Sequence, residues 1–117
     1  MPIEKLTASE EIIMKAVWDC QKEPNVSEVL DKVTTVYGKD WKIQTVSTFL
    51  KKLVNKRYLK LQRNGRMYTY HILISETIYK KFLYTHLIRF WYNNDVAAFY
   101  LEMIKNGDLH KKELYKI

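Results

Sequence analysis

The chain has 117 residues, 47% of them hydrophobic, with 20 Lys or Arg against 13 Asp or Glu and a net charge of +7. This size supports about one compact domain with an appendage. A single cysteine, Cys20, excludes an intrachain disulfide and fits a reducing compartment. No apolar run is long enough to span a bilayer, and residues 1–5 lack the apolar core of a signal peptide. We therefore expect a cytoplasmic protein with no membrane partner.

The positive charge is concentrated in one segment. Residues Trp41 to Ser75 contain eight basic side chains and no Asp or Glu, whereas the rest of the chain has 12 basic and 13 acidic residues. A one-sided block of this kind attracts phosphate and speeds encounter with a polyanion. A solvated basic surface without a partner is the alternative. The eight residues are Lys42, Lys51, Lys52, Lys56, Arg57, Lys60, Arg63 and Arg66.

Two helices are predicted before this segment. Thr7-Ala8-Ser9-Glu10 has the pattern of a capping box, which predicts a helix to about Asp19. Ser27 is the expected N-cap of a second helix that ends near Tyr37, where Gly38 supplies a stop.

A third helix is predicted from about Ile43 to Lys56, with two chemically different faces. At 3.6 residues per turn its apolar residues share one face, and polar and cationic residues lie opposite and beside them. Side chains of this kind can hydrogen-bond base edges, and the lysines suit guanine or, more often, phosphate. The predicted DNA contacts are Gln44, Thr45, Ser47, Thr48, Lys51 and Lys52, with Lys42 just before the helix.

A β-hairpin is predicted next. Leu59–Arg63 and Met67–Ile72 alternate with period two, and Asn64-Gly65 between them indicates the turn. Arg63 and Arg66 flank this tip and are expected to contact DNA. Three helices followed by a hairpin are typical of a winged helix-turn-helix, whose third helix enters the major groove while the wing reaches the backbone or minor groove. The fold class is therefore mainly α with a small hairpin, and residues 1–74 are the expected DNA-binding domain.

The last third of the chain predicts further helices. Ser75 is the expected N-cap of a fourth helix to about Tyr92, Asp95 of a fifth over Val96–Asn106, and a short helix is expected over Leu109–Tyr115. Apolar residues wrap more than one face of the fourth helix, so a partner chain is the natural second surface. We expect residues 75–117 to be a helical dimerisation region; the alternative is a tail folded over its own core. The predicted contact residues are Ile78, Phe82, Leu83, Leu87, Phe90, Trp91 and Phe99.

Enzyme chemistry is not indicated. His71, His86 and His110 are far apart, and no pair has a metal-ligand spacing with Cys or carboxylates. There is no glycine-rich phosphate loop or nucleophile elbow. We expect no catalytic residues, no metal and no cofactor.

Three motifs share one family resemblance. They are Leu6–Glu10 with Met14 and Trp18-Asp19, Thr45–Leu53 with the pattern T-V-x-T-x-L-x-x-L, and Gly65-Arg66 followed by Tyr70. Together they resemble the first helix, recognition helix and wing of the penicillinase-repressor family, of the BlaI, MecI and CopY type. The resemblance covers about residues 6–70 and places Tyr70 among the DNA-binding residues of the wing.

The resemblance implies a homodimeric transcriptional repressor, and an antibiotic resistance regulator, that binds a palindromic operator with TACA/TGTA-like half-sites. His71 stands where the family often has proline, and the paired C-terminal cysteines of copper-responsive members are absent. Ala98-Phe99 stands where antibiotic-responsive members have a cleaved Asn-Phe bond. Direct copper sensing by that cysteine motif is excluded, and three inducers stay open: a protease, a small ligand or a metal.

Two other functions are compatible with a basic winged helix. One is a nonspecific architectural DNA binder, and the other is a protein-interaction module that docks through its wing or tail. The polar residues of the third helix favour specific repression, because a pure phosphate binder does not need so many hydrogen-bonding side chains there.

Overall fold

The computed structural model describes residues 3–107, 110 and 112–113. Within this part of the chain, five helices and one antiparallel hairpin occur in the predicted order, which confirms the expected fold class. The short helix expected over Leu109–Tyr115 lies outside the described residues, apart from His110 and residues 112–113. The elements are α1 (Ala8–Asp19), α2 (Val26–Thr35), α3 (Ile43–Asn55), β1 (Leu59–Asn64), β2 (Met67–Ile72), α4 (Glu76–Trp91) and α5 (Val96–Lys105).

Reciprocal capping boxes begin α1 and α2. The Thr7 hydroxyl accepts from the Glu10 backbone N–H at 3.2 Å, and the Glu10 carboxylate accepts from the Thr7 N–H at 2.8 Å, as predicted. In α2 the cap is Asn25, whose Oδ1 accepts from Glu28 N at 2.9 Å while the Glu28 carboxylate accepts from Asn25 N at 3.0 Å. The prediction of Ser27 is wrong, because Asn25 has an acidic partner three residues later and Ser27 lies inside the first turn.

The hydrophobic core of the N-terminal part lies between α1, α2 and α3, each of which packs against the other two. The strand β1 packs against α3. The core side chains are almost completely removed from water, which is the main favourable contribution to folding. Tyr58 belongs to this core. Its burial, together with the nearby carboxylates of Glu4, Glu10 and Glu11, raises its pKa to about 12. Its hydroxyl donates to the Glu4 carbonyl at 2.5 Å. The fully buried apolar residues include Ile13, Met14, Val17, Val29, Val33, Val46, Leu50, Leu53, Tyr58 and Leu59.

The hairpin turn lies one residue later than predicted. The strand register pairs Asn64 with Met67, so Gly65 and Arg66 form the two-residue turn. Gly65 has φ of +68°, and a positive φ at the first turn position alone is typical of a type II′ turn. The prediction of an Asn64-Gly65 turn is wrong because Asn64 remains in the ladder, and Arg66 is consequently presented at the tip itself.

Backbone hydrogen bonds fix the base of this hairpin. Tyr70 N donates to the Pro24 carbonyl and Leu73 N to the Tyr58 carbonyl, both at 2.9 Å. The second strand is therefore joined to the turn between α1 and α2, which holds the wing against the three-helix core.

The chain forms two compact units, Met1–Tyr79 and Lys80–Ile117. The first unit includes the beginning of α4, since the Trp18 indole donates to the Ile74 carbonyl at 3.0 Å and the Tyr79 hydroxyl donates to Glu11 at 2.6 Å. Ser75 caps α4 as predicted, accepting from Ile78 N at 3.2 Å. This division lies slightly later than the domain boundary expected at residues 74–75.

In the second unit, α5 begins at its expected cap, with Asp95 Oδ1 accepting from Ala98 N at 3.1 Å. Asn93 and Asn94 both have positive φ, which ends α4 before α5 starts. The rings of Tyr92 and Phe99 lie 5.2 Å apart across this break. No helix in the described part of the chain is long and apolar enough to cross a membrane.

Candidate nucleic-acid interface

The polar face of α3 is exposed and its hydrogen-bonding groups are largely unused. Val46, Leu50 and Leu53 are fully buried, which turns the opposite side outward. The side chains of Gln44, Thr45 and Ser47 make no hydrogen bond to any residue that the structure describes. Thr48 donates its hydroxyl to the Gln44 carbonyl at 2.8 Å, which leaves its oxygen free to accept. This face can therefore donate to and accept from base edges.

Several cations of α3, of the residue before it and of the hairpin have no neutralising carboxylate within the part of the chain that the structure describes. The ammonium and guanidinium groups of Lys42, Lys51, Lys60 and Arg66 are exposed, and no carboxylate of the described residues lies within 4.0 Å of them. Lys52 is also exposed, with its Nζ 5.4 Å from the centre of a neighbouring aromatic ring. Their unbalanced charge produces a positive potential over α3 and the wing.

Lys56, which also belongs to the basic segment, is paired with carboxylates of the core. Its Nζ lies 2.8 Å from Oε1 of Glu10, which is only 2% exposed, and 3.9 Å from Glu4. Burial opposes ionisation of Glu10, but hydrogen bonds from Lys56 and from the Thr7 backbone and hydroxyl outweigh it, so the pKa of Glu10 lies below its ordinary value. Lys56 therefore stabilises the fold. Sequence reasoning missed this pair because no local pattern links positions 46 residues apart.

The start of α3 also differs from the other helix starts in the first unit. Its N-cap is Lys42, and no side chain satisfies the first backbone N–H groups, whereas α1 and α2 have capping boxes. Free N–H groups and the helix dipole favour phosphate at such a position. The arrangement is compatible with a helix that enters a groove N-terminus first.

The two arginines of the wing have different environments. Arg63 donates from Nε to the Gly65 carbonyl at 3.0 Å, and its guanidinium lies 5.9 Å from the centre of the Tyr68 ring. Arg66 is exposed in the turn itself. The wing thus has one cation that is held in place and one that is free to reach a phosphate.

Tyr70 does not lie on the wing surface. Its side chain is only 9% exposed, and burial raises the pKa of its hydroxyl. Its inclusion among the DNA contacts is corrected, because the ring points into the core at the base of the hairpin. Tyr68, two residues earlier on the same strand face and 51% exposed, is the tyrosine that the wing presents.

The residues predicted for dimerisation lie on α4 and α5. Phe90 and Trp91 are 65% and 71% exposed, unusually high values for large apolar side chains. The His86 ring is stacked between Phe82 and Phe90, with centroid distances of 6.4 and 6.2 Å. Ile78 and Leu87 are also exposed, and Phe82, Leu83 and Phe99 are half-buried.

No metal site is formed by the described part of the chain, where no three His, Cys, Asp or Glu side chains are grouped. His71 contacts Glu23 at 2.5 Å, which is an ion pair only when the imidazole is protonated. The His71 side chain is thus engaged in a local contact, and the His86 side chain is engaged in ring stacking.

Comparison with known proteins identifies the family. The family model described as penicillinase repressor matches residues 6–117. The chain belongs to the penicillinase repressor family. The penicillinase repressor of Bacillus licheniformis is 24% identical over 115 residues, covering 98% of this chain and 88% of the relative. The methicillin resistance regulatory protein MecI of Staphylococcus aureus is 19% identical over 113 residues, covering 97% and 89%.

Solved structures of a penicillinase repressor share the fold. The DNA-binding domain of the repressor BlaI, and monomeric BlaI of Bacillus licheniformis in complex with the blaP half-operator, each match with 27% identity and a TM-score of 0.55. Each match covers 67% of this chain and 92% of the other. The winged-helix fold and the family resemblance expected from the sequence motifs are confirmed, and the penicillinase repressor family is one of repressors and not of enzymes.

Proposed function

We propose that this protein is a homodimeric, sequence-specific transcriptional repressor that binds a palindromic operator with TACA/TGTA-like half-sites. The observation that carries the proposal is the exposed face of α3, whose hydrogen-bonding groups are largely unused by the fold and lie among cations without carboxylate partners. The complex of BlaI with its half-operator supports DNA as the partner.

The side chains of α3 suit reading in the major groove. A glutamine amide such as Gln44 can make two hydrogen bonds to adenine, and the methyl groups of Thr45 and Thr48 can contact a thymine methyl. Both bases occur in a TACA half-site. Lys51 and Lys52 lie on the next turn, where phosphate contacts would fix the register of the helix.

The wing supplies sequence-independent affinity in this proposal. Arg66 at the turn and Arg63 beside Tyr68 extend the positive surface beyond α3. Two-stranded wings reach the backbone or the minor groove next to the recognition helix. Contacts of this kind depend strongly on salt because each releases counterions from DNA.

The second unit supplies the homodimer. Its exposed aromatic side chains form a surface that a second copy can cover, and a palindrome requires a two-fold protein. Regulated release by cleavage at Ala98-Phe99 would have to open the first turn of α5, where Ala98 N bonds to Asp95. Severing the tail would make the two half-site binding events independent.

Equilibrium binding of the full chain to three duplexes tests the function. The palindrome should bind at least about 10³-fold more tightly than a scrambled duplex at 150 mM salt. Binding to a single half-site should be intermediate. Equal affinity for all three would identify an architectural DNA binder, and no binding to any duplex would favour a protein-interaction module.

A further inference from the structure

Four side chains on α3 and in the loop before it form a row in which two aromatic rings lie between two cations, here called the Trp41 strip. Lys39 Nζ lies 5.8 Å from the centre of the Trp41 ring, and the Trp41 and Phe49 ring centres are 5.4 Å apart. At the other end, Lys52 Nζ lies 5.4 Å from the centre of the Phe49 ring. Trp41 comes from the loop between α2 and α3, so the strip joins that loop to the helix.

The strip lies on one flank of the face proposed to read bases. At about 100° per residue, Lys52 lies about 75° and Phe49 about 130° around the helix from the centre of the face made by Gln44, Thr48 and Lys51. Lys52 therefore borders the polar face, and Phe49 borders the buried face. A helix seated in the major groove brings such a flank against one wall of the groove, which consists of phosphates.

The Trp41 indole has an unused hydrogen-bond donor. No residue in the described part of the chain accepts from its Nε1–H, whereas the indole of Trp18 donates to the Ile74 carbonyl at 3.0 Å. Trp41 is half-buried, and no side-chain nitrogen buried in the described part of the chain lacks a partner, so this N–H is open to solvent and accessible to a ligand. Asp40, the nearest carboxylate along the chain, forms no ion pair with Lys39 or Lys52. The strip thus presents a neutral donor between two cations.

We propose that the Trp41 strip is a backbone-phosphate site, in which the Trp41 indole N–H donates to a DNA phosphate oxygen while Lys39 and Lys52 supply the neighbouring charge. The inference rests on the proposed binding of α3 in the major groove and extends the footprint beyond the sequence-predicted contacts. The tilted ring contact between Trp41 and Phe49 and the two cation–π contacts restrict the rotamers of the strip before DNA arrives, so little conformational entropy is lost on binding. A fixed donor of this kind would set the register of α3 against the bases.

Substitutions in the full chain separate the donor from the charges. Trp41→Phe keeps an aromatic ring on Phe49 and removes the N–H, so affinity should fall about tenfold on operator and scrambled duplex alike. Its salt slope should be unchanged, because a neutral donor releases no counterion. Lys39→Ala and Lys52→Ala should each lower the slope by about one.

Methylphosphonate scanning of the operator locates the phosphate. Neutralising one particular phosphate should weaken binding of the wild-type chain about tenfold more than binding of Trp41→Phe, in which only the charges of Lys39 and Lys52 still favour that phosphate. Trp18→Phe is the matched control, since it should lower the melting temperature and leave the methylphosphonate map unchanged. In the wild-type chain, the indole ¹⁵N–¹H resonance of Trp41 should shift when the operator is added. It should stay near its position in the free protein when the operator carries that methylphosphonate. This measurement does not depend on the folding of a variant.

The phosphate site would be overturned if the Trp41 indole resonance does not move when the operator is added. It would also be overturned if Trp41→Phe folds and keeps the wild-type affinity and the wild-type methylphosphonate map. In both cases the wild-type chain would still prefer its operator. Failure of that preference in the wild-type chain itself would instead refute the proposed function.

Discussion

Glu10 is a nearly buried carboxylate whose ionised form accepts hydrogen bonds from the Thr7 backbone N–H and from Lys56. Because its pKa in the folded state is lowered from the ordinary 4.5, the unfolded chain binds the proton more tightly. The stability that this provides is present above the unfolded pKa and is lost as pH falls through the lower folded pKa. Urea unfolding between pH 7 and pH 3 should therefore show a decline below about pH 4.5, and Glu10→Gln should make that decline shallower.

Removal of Lys56 should be costly for the same reason. Lys56→Met leaves a buried carboxylate without its cation and should destabilise the fold by about 1–3 kcal/mol at neutral pH. Lys60→Met is the control, because Lys60 is exposed and has no ion pair among the described residues. It should change the free energy of unfolding by less than about 0.5 kcal/mol. Equal effects of the two variants would mean that the Glu10–Lys56 pair does not stabilise the fold.

Base reading by α3 also depends on single residues. Gln44→Ala or Thr45→Ala should weaken operator binding by about 1–3 kcal/mol and leave binding to a scrambled duplex nearly unchanged. Thr34→Ala is a suitable control, because that hydroxyl lies on α2 and donates to the Leu30 carbonyl of its own helix. Titrations of both duplexes at one salt concentration measure the difference. A loss of equal size on both duplexes would show that the residue contacts the backbone.

At the scale of single elements, the beginning of α2 depends on Asn25. Asn25→Ala removes the hydrogen bond that the side chain accepts from Glu28 N, leaves the backbone N–H of residue 25 bonded to the Glu28 carboxylate, and should cost about 1 kcal/mol of stability. Ser27→Ala, two residues later, should be nearly neutral because Ser27 is exposed within the first turn. Chemical denaturation of both variants decides between the two caps. A larger effect of Ser27→Ala would contradict the observed helix start.

The wing can be tested through its salt dependence. Arg66→Ala should reduce affinity for all duplexes and lower the salt slope by about one, as expected when one phosphate contact is lost. Arg66→Lys keeps the charge at the turn and should preserve the slope. If Arg66→Ala leaves the slope unchanged, the wing tip does not contact DNA and the hairpin serves only to complete the fold.

The helices and strands were predicted well because the sequence signals for them lie within a few neighbouring residues. The Thr7–Glu10 box, the apolar spacing of α3 and the period-two strands each act within a few residues. The register of the turn was missed by one position, since the ladder decides whether Asn64 is paired. Asn25 carried a readable signal, namely Glu28 three residues later. The burial of Tyr70 and the Lys56 ion pair depend on contacts with Pro24 and Glu10 that are distant in sequence. No local pattern encodes such contacts, nor the unused donor of Trp41.

At the scale of the whole molecule, the contacts of α4 with the first unit decide how dimerisation can be tested. A chain cut after Ile74 would lose Tyr79, whose hydroxyl contacts Leu6 and Glu11 in the first unit. Loss of operator binding by that fragment would then mix unfolding with loss of dimerisation. A substitution on the exposed part of the tail avoids this ambiguity.

Phe90→Asp places a charge on the surface proposed to pair two subunits, and burying an unpaired charge there is strongly unfavourable. The variant should sediment as a monomer and keep its affinity for a single half-site. Its affinity for the palindrome should fall about 10²–10⁴-fold, because two recognition helices spaced about 34 Å apart would no longer bind as one tethered unit. Thr77→Asp, the same charge change in the first turn of α4, should remain dimeric. A monomeric wild-type chain, or a Phe90→Asp variant that keeps full affinity for the palindrome, would mean that the tail has a role other than pairing the two recognition helices.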